Sequence, residues 1–384
     1  MDYSHSISDP NFANRQFQII VPVFNEEEIL EKVLNIAKES GYLKYSIFVD
    51  DASTDSSLKI LQSWATEENF KVIHFPVNGK KEGAIRAAME MLQKKGELLP
   101  YTILIDADSI IERTESEAPI HTAIKKAISY LNHNKLGALA LRLEAVSDKP
   151  LNLFYRSAYA DFQGMQFDNW LVSKQFQTWV INGSGGLFET QRLLGILQTM
   201  VPDFETGDLL ITVELMKQKV PIAYYPLIKV RTYVPITLPT YFNQRRRWER
   251  GTIKILWYER KFYINNFRQP SLLAIYTLLH LALYFGLLVT PLWHYFKPLT
   301  LSSYTALLIT VYIFWQIYNL IKGLFIRYIG INFSYYFFIK CVLIQGLMSM
   351  TVSMIARLTG FCEAIFFILK FPKKTNGSSR GIFK

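Results

Sequence analysis

Thr102-Ile103-Leu104-Ile105-Asp106-Ala107-Asp108 is the stretch that decides how the first two thirds of the chain fold. A short apolar run that closes on turn residues reads as a buried strand. This one, over 102–105, ends in two carboxylates one residue apart. The same form recurs upstream. Residues 45–49 make an apolar strand that ends in Asp50-Asp51, and Phe17–Val23 (FQIIVPV) and Lys71–Phe75 make two more. Helical spacings lie between them, over 26–39 (Ile29, Leu30, Val33, Leu34, Ala37), 57–65 and 82–95. Repeated βα units predict an α/β domain with a mostly parallel sheet and helices on both faces. Ligands in such sheets bind beyond the carboxyl ends of the strands, where the acidic residues fall. No G-x-G-x-x-G, Walker loop or HExxH string is present, so those nucleotide and zinc fingerprints are excluded.

Asp106 and Asp108, at i and i+2 of a strand, point the same way. Two carboxylates on one side repel each other unless a cation stands nearby. A divalent ion such as Mg²⁺ takes one or two carboxylates plus phosphate oxygens and would neutralise a diphosphate leaving group. The plainer reading is a solvated turn. Asp50-Asp51 leads into Ala52-Ser53-Thr54-Asp55-Ser56. Capping the next helix accounts for Asp55 but not for the adjacent pair, which a hydrogen bond to a base or ribose would explain.

Three further strings carry chemistry. Asn182-Gly183-Ser184-Gly185-Gly186-Leu187-Phe188 has three glycines in four residues, either a flexible turn or a backbone that a ligand can approach closely. Phe204-Glu205-Thr206-Gly207-Asp208 precedes a helical run over 209–217, and Asp208 reads as its N-cap. Gln244-Arg245-Arg246-Arg247-Trp248 joins planar guanidinium forks suited to phosphate to an indole face. It also reads as a basic amphipathic helix at a membrane surface. In helical spacing 244, 247, 248 and 251 share a face, so Arg245, Arg246 and Arg250 are expected to face lipid.

Together these strings resemble the family-2 glycosyltransferases, in particular the membrane-embedded synthases of the cellulose, chitin, hyaluronan and poly-N-acetylglucosamine type. Pro22-Val23-Phe24-Asn25-Glu26 is similar to their P-x-x-N-E segment, and Asp50-Asp51-Ala52-Ser53-Thr54-Asp55 to their DDgStD segment, with Ala52 where glycine is usual. Asp106-Ala107-Asp108 matches their D-x-D motif and Gln244–Trp248 their Q-x-x-R-W motif. The resemblance covers about residues 17–260. It implies a GT-A-like (Rossmann-like) domain followed by a C-terminal transmembrane helical region. It implies an inverting hexosyltransferase that takes a sugar from a nucleotide-sugar donor, UDP-linked, to a saccharide or glycolipid acceptor, in processive polysaccharide synthesis or in single transfers. Asn25, Glu26 and Asp51 would then lie at the nucleotide, with Lys81, Asp106, Gln244 and Arg247 at the diphosphate. Trp248 would lie by the acceptor, and Asp106 and Asp108 at Mg²⁺ or Mn²⁺. Asp208 would be the base, although Gly207 departs from the family's usual Thr-Glu-Asp.

The rest of the chain predicts a membrane part. Half of the 384 residues are hydrophobic. Residues 269–296 and 298–321 hold no Asp, Glu, Lys or Arg, and each exceeds the ~20 residues that cross a bilayer. Residues 335–369 are apolar but broken by Lys340, Arg357 and Glu363. They read either as a pair of spans or as one span and a surface helix. The net charge of +10 sits late in the chain, with −5 over 1–240, +6 over 241–268 and +9 beyond. That placement suits anionic lipid head groups and argues against a nucleic-acid partner. Two cysteines, Cys341 and Cys362, offer no zinc pattern or disulfide framework. The expected organisation is a flexible N-terminus (1–15), a catalytic domain (16–240), an amphipathic interface segment (241–268), transmembrane helices (269–371) and a basic tail (372–384). The protein would be multi-pass in the plasma or inner membrane, with its catalytic domain cytosolic. The competing class is a membrane transporter or nucleotide sensor without transfer activity, which would carry ionisable residues in mid-membrane.

Overall fold

The computed structural model describes residues 16–113, 119–175, 177–200, 205–267, 313, 316–325, 327 and 334–370. The chain divides into two compact units.

The first unit comprises residues 16–146 and 180–233 among those described. The run FQIIVPV forms β1 (Phe17–Val23), buried at every position but Pro22. An apolar strand without alternation is buried on both faces, and β2 (Ser46–Asp51) is likewise buried throughout. α1 (Glu27–Glu39) covers the sheet with Leu30, Val33, Leu34 and Ala37, one face of a helix. α2 (Ser57–Glu68), β3 (Lys71–Phe75), α3 (Lys80–Lys94), β4 (Tyr101–Leu104), β5 (Ser109–Arg113), α4 (Ile120–His133) and β6 (Ala138–Val146) follow in order. After an excursion into the second unit come β7 (Gly186–Glu189), α6 (Thr190–Thr199), α7 (Gly207–Lys217) and β8 (Ile222–Tyr233).

The strands form one sheet in the order β3-β2-β1-β4-β7-β6-β8-β5. The β3-β2-β1-β4 half and the β6-β8 pair are parallel, whereas β4-β7, β6-β7 and β5-β8 are antiparallel. The parallel character expected from the βα rhythm therefore holds for the first half, and it mixes where the rhythm fades. Register matters for the site. Val23 pairs with Asp50 and Leu104 with Gly186. The carboxyl ends of β1, β2 and β4 thus share one edge with the amino end of β7.

Among the described residues the second unit holds those within 147–179 and 234–370, so the segment 147–179 leaves the expected 16–240 block. Its helices include α5 (Leu153–Ser173), α8 (Leu238–Tyr258), α9 (Arg260–Phe267), Tyr335–Met350 and Val352–Lys370. Asp161 of α5 pairs with Arg245 and accepts from Gln345 Nε2, each at 2.7 Å. Tyr241 Oη lies 2.8 Å from Ser157 Oγ and 3.0 Å from Ser353 Oγ. Lys322 and Asp168, both buried, pair at 2.7 Å. Removing one partner of such a pair strands a buried charge, at a cost of about 3–5 kcal/mol.

Among the described residues one helix, Val352–Lys370, is long and apolar enough to cross a membrane, with a mean hydropathy of 1.8. Tyr336–Met348 is a shorter apolar stretch. The described residues hold one candidate for the several spans expected from the sequence. The stretch 269–296 and most of 298–321 lie outside the described residues, as do 1–15 and the tail 372–384.

Candidate active site

The site is built where β2 and β4 stop. β2 runs through Asp51, and the next residue, Ala52, has φ 61°. That left-handed conformation costs an L-residue about 1–2 kcal/mol. Glycine would relieve the strain while raising the entropy of the unfolded chain. Ala52→Gly is therefore expected to gain about 0.5–1 kcal/mol net, checked by denaturant titration against the parent.

Asp50 is fully buried. Its Oδ2 lies 2.8 Å from His74 Nδ1 and accepts from the Ser53 backbone N–H at 3.4 Å. Asp51, 3% exposed, accepts the Gly79 N–H through Oδ1 at 2.7 Å. Burial raises the Asp51 pKa, and the Gly79 hydrogen bond partly offsets it. Of the two, Asp50 is tied to the histidine of β3, and Asp51 spans to the start of α3.

Asn25 has φ 56°. Its Oδ1 accepts the Thr54 N–H at 2.8 Å, and its own N–H donates to Ser53 Oγ at 3.1 Å. Asn25 thus braces the β1–α1 loop against the β2–α2 loop. Asp55 accepts from Ser57 N–H at 2.9 Å and from Glu27 N–H at 3.1 Å. It caps the start of α2 and reaches α1 as well.

Beyond β4, the strand ends at Leu104, and Asp106 and Asp108 lie in the turn to β5. The i, i+2 argument for a strand therefore does not set their directions; the turn's own contacts do. Asp106 donates its N–H to Ser184 Oγ at 3.2 Å and pairs with Lys81 Nζ. Asp108 Oδ1 accepts from Ser109 Oγ at 3.0 Å and Thr232 Oγ1 at 3.1 Å, so β8 holds it.

Lys81 ties the site together. Beyond Asp106, its ammonium donates to the Gly183 carbonyl at 3.1 Å. The Gly183 N–H in turn donates to Asp208 Oδ2 at 3.0 Å. A side chain at 183 would press on the Lys81 ammonium, whose Nζ lies 2.7 Å from an ideal Cβ. Glycine there lets the ammonium approach the backbone without being displaced. Asp208 is not the N-cap of α7; Thr206 is. Asp208 sits in the first turn, and its Oδ1 accepts the Leu209 N–H at 2.8 Å.

The electrostatics are those of crowded acids. Burial, then the charges of Asp108, Asp106 and Asp55, push Glu26 up to about 7. Burial and then Asp106 push Asp108 up to about 6, against the pull of Ser109, Thr232 and Lys81. Burial raises the Asp208 pKa, opposed by Lys81 and by the N–H groups of Leu209 and Gly183. Burial alone would lower the pKa of Lys81, but Asp106, Glu82 and Asp208 outweigh it and keep the ammonium charged.

Among the described residues no group of three or more His, Cys, Asp or Glu could hold a metal ion unaided. The two aspartates still fit a hard divalent cation. Asp108 is half-buried, beside Asp106 and Glu26, with more negative charge than Lys81 cancels. One or two carboxylates completed by phosphate oxygens is the usual Mg²⁺ arrangement.

Raised carboxylate pKa values have a consequence for stability. Glu26 and Asp108 favour the folded state while protonated, and that contribution is lost as pH rises from their unfolded values toward about 7 and about 6. The ligand-free protein is expected to melt ~2–4 °C lower at pH 8 than at pH 5.5 through these groups. Mn²⁺ or Glu26→Gln should shrink the difference, as read by calorimetry.

Glu82 and Thr232 went unnoticed in the sequence. A glutamate in the first turn of a helix looks like an ordinary dipole partner, and Thr232 lies in no recognisable string; Ser184 falls inside the glycine-rich string, which shows its glycines rather than its hydroxyl.

Gln244, Arg247 and Trp248 lie on α8, in the second unit. Arg247 is exposed and Gln244 half-buried. Trp248 packs on Phe162, with ring centroids 6.4 Å apart, and under the Arg245 guanidinium at 4.8 Å. The expectation that Arg245, Arg246 and Arg250 face lipid is corrected. Arg245 is 4% exposed and paired with Asp161, while Arg246 and Arg250 lie 3.7 and 2.7 Å from Glu363. Carboxylates inside the helical unit attract them more strongly than the outward face does.

Residues 18–166 match the family model described as Glycosyl transferase family 2. The poly(ribitol-phosphate) beta-N-acetylglucosaminyltransferase TarS of Staphylococcus aureus is 24% identical over 148 residues, which is 37% of this chain and 24% of that protein. The poly-beta-1,6-N-acetyl-D-glucosamine synthase of Staphylococcus epidermidis is 24% identical over 242 residues, 62% of this chain and 54% of that protein. The chain thus spans from a quarter to about half the length of these curated relatives. The mannosyltransferase PcManGT from Pyrobaculum calidifontis, solved with GDP-Man and Mn2+, superposes with a TM-score of 0.56 at 16% identity. The match covers 89% of this chain and 87% of that one, a likeness of fold. With its GT-A-like α/β fold, the chain carries a family-2 glycosyltransferase domain over residues 18–166.

Proposed function

We propose that this protein is an inverting glycosyltransferase that takes a sugar from a nucleotide-diphosphate donor to an acceptor hydroxyl. The observation that carries the reading is the chain of contacts Asp106–Lys81–Gly183–Asp208, which joins an acidic turn to a separate half-buried carboxylate. A divalent cation bound there, Mg²⁺ or Mn²⁺, would neutralise the departing diphosphate. Asp106 and Asp108 would hold it. Asp208 removes the proton of the acceptor hydroxyl as that oxygen attacks the sugar's C1. Its raised pKa makes it a stronger proton acceptor than a solvated aspartate. Lys81 supplies fixed positive charge beside Asp106 where the diphosphate's charge builds up. Asp51, at the end of β2, is the candidate partner for the nucleoside.

The donor we favour is UDP-N-acetylglucosamine, because both curated relatives are named for N-acetylglucosamine. The acceptor is a saccharide or a membrane glycolipid, since Val352–Lys370 offers a membrane anchor. Incubating the full chain in membranes with a panel of labelled nucleotide sugars tests this. Incorporation from UDP-N-acetylglucosamine supports it, and no release of nucleoside diphosphate from any donor would sink it.

A further inference from the structure

Gly207 has no side chain, and the space a side chain would need is already taken. An ideal Cβ built on Gly207 runs into Glu82, meeting its Oε1, Cδ and Cγ. Gly207 opens α7 and does not have a positive φ. Its backbone would accept alanine, so the glycine serves room rather than conformation. The Glu82 side chain comes from the first turn of α3 and lies in this notch, one residue from Asp208. A cavity of about 10 Å³, lined by Lys81, Glu82, Asn182, Gly183 and Asp208 among others, leaves room for roughly one water between them. Glu82 is thus a second half-buried acid beside the base. Burial raises its pKa, Lys81 draws it back, and Asp208 and Asp106 raise it further.

We propose that Glu82, seated in the notch of Gly207, is a positioning residue that keeps Lys81 from closing on Asp208. The inference rests on the reading of Asp208 as the base. Lys81 stands among three carboxylates, Asp106, Glu82 and Asp208. Its ammonium is drawn to whichever is least compensated. With Glu82 present, Lys81 bridges Asp106 and the Gly183 carbonyl, and Asp208 keeps its two backbone N–H donors. Without that negative charge, Lys81 shifts toward Asp208 and weakens it as a proton acceptor. The effect falls on the chemical step rather than on donor binding.

A two-part experiment on the full chain separates the notch from its role. The first part is a cycle of Gly207→Ala, Glu82→Ala and the double variant, read by melting midpoint. Gly207→Ala should lower the midpoint by about 3 °C or more in the parent, as overpacking does, and leave it unchanged where Glu82 is already Ala. Equal loss in both backgrounds would overturn the notch. The second part is Glu82→Gln, which keeps the shape and drops the charge. It should melt with the parent and keep the donor KM within about twofold. Its kcat should fall about tenfold, equivalent to one pKa unit of differential interaction. An unchanged kcat, or a KM that rises while kcat holds, overturns the positioning role. A parent chain that transfers no sugar overturns the assignment of Asp208 and this role with it, while the melting cycle still reports on the notch.

Discussion

Asp208→Asn is expected to lower kcat by about 10²–10⁴, the usual contribution of a positioned general base, while donor affinity stays within about threefold. The variant tests one function because the structure keeps everything else. The Gly183 N–H donates to Oδ2 and the Leu209 N–H to Oδ1. An amide oxygen can still take one of these, so the start of α7 holds its place. What goes is the ability to accept a proton. Asp208 belongs to the acceptor half of the reaction, so donor binding measured by calorimetry reports an intact site. A variant retaining more than a tenth of parental kcat would remove Asp208 from the role of base. Loss of donor binding together with activity would place it in the diphosphate site instead.

The first half of the fold was legible because burial and periodicity agree there. FQIIVPV, SIFVDD and YTIL are apolar without alternation, and the helices between them show single apolar faces. Legibility failed over residues 147–179. α5 presents buried residues nearly all round, Gln163, Gln166, Asp168 and Asn169 among them. Such a helix has no polar face to announce its surroundings. Nothing in its pattern shows that it folds with Arg245, Lys322 and Gln345. The antiparallel insertion of β7 was hidden for a related reason. Its four residues are glycine-led and too short to show a period.

The site was legible as motifs and illegible as contacts. Asp51, Asp106, Asp108 and Asp208 could be named from strings alone. The links among them run over 25 residues or more of sequence, from Lys81 to Asp106 and from Gly183 to Asp208. No local signal encodes those. Ala52 shows the reverse. The string marks it as a departure from glycine, and the structure supplies the reason, a backbone turn through positive φ. Gly207 reads in the string only as a departure from the family's Thr-Glu-Asp, yet Glu82 occupies the space beside it.

The acidic turn sets the other large effect. Asp108→Asn should cut kcat by about 10²–10³, comparable to losing one preorganised electrostatic contact to the transition state. It should also weaken donor binding measured in Mn²⁺, where Asp208→Asn does not. Thr232 Oγ1 and Ser109 Oγ both donate to Asp108 Oδ1, and an asparagine oxygen can accept the same two bonds, so the turn keeps its shape. The change removes a charge that burial and Asp106 already make costly, since the carboxyl is pushed up to about 6. The ligand-free variant should therefore be at least as stable as the parent at pH 8 and lose the stabilisation that Mn²⁺ gives it. Chelation of the parent should abolish transfer, and Mn²⁺ or Mg²⁺ should restore it. If the chelated parent keeps its rate, or Asp108→Asn binds donor as well as the parent in Mn²⁺, the acidic turn serves the fold alone. Lys81 of α3, paired with Asp106, would then be the cation that meets the diphosphate there.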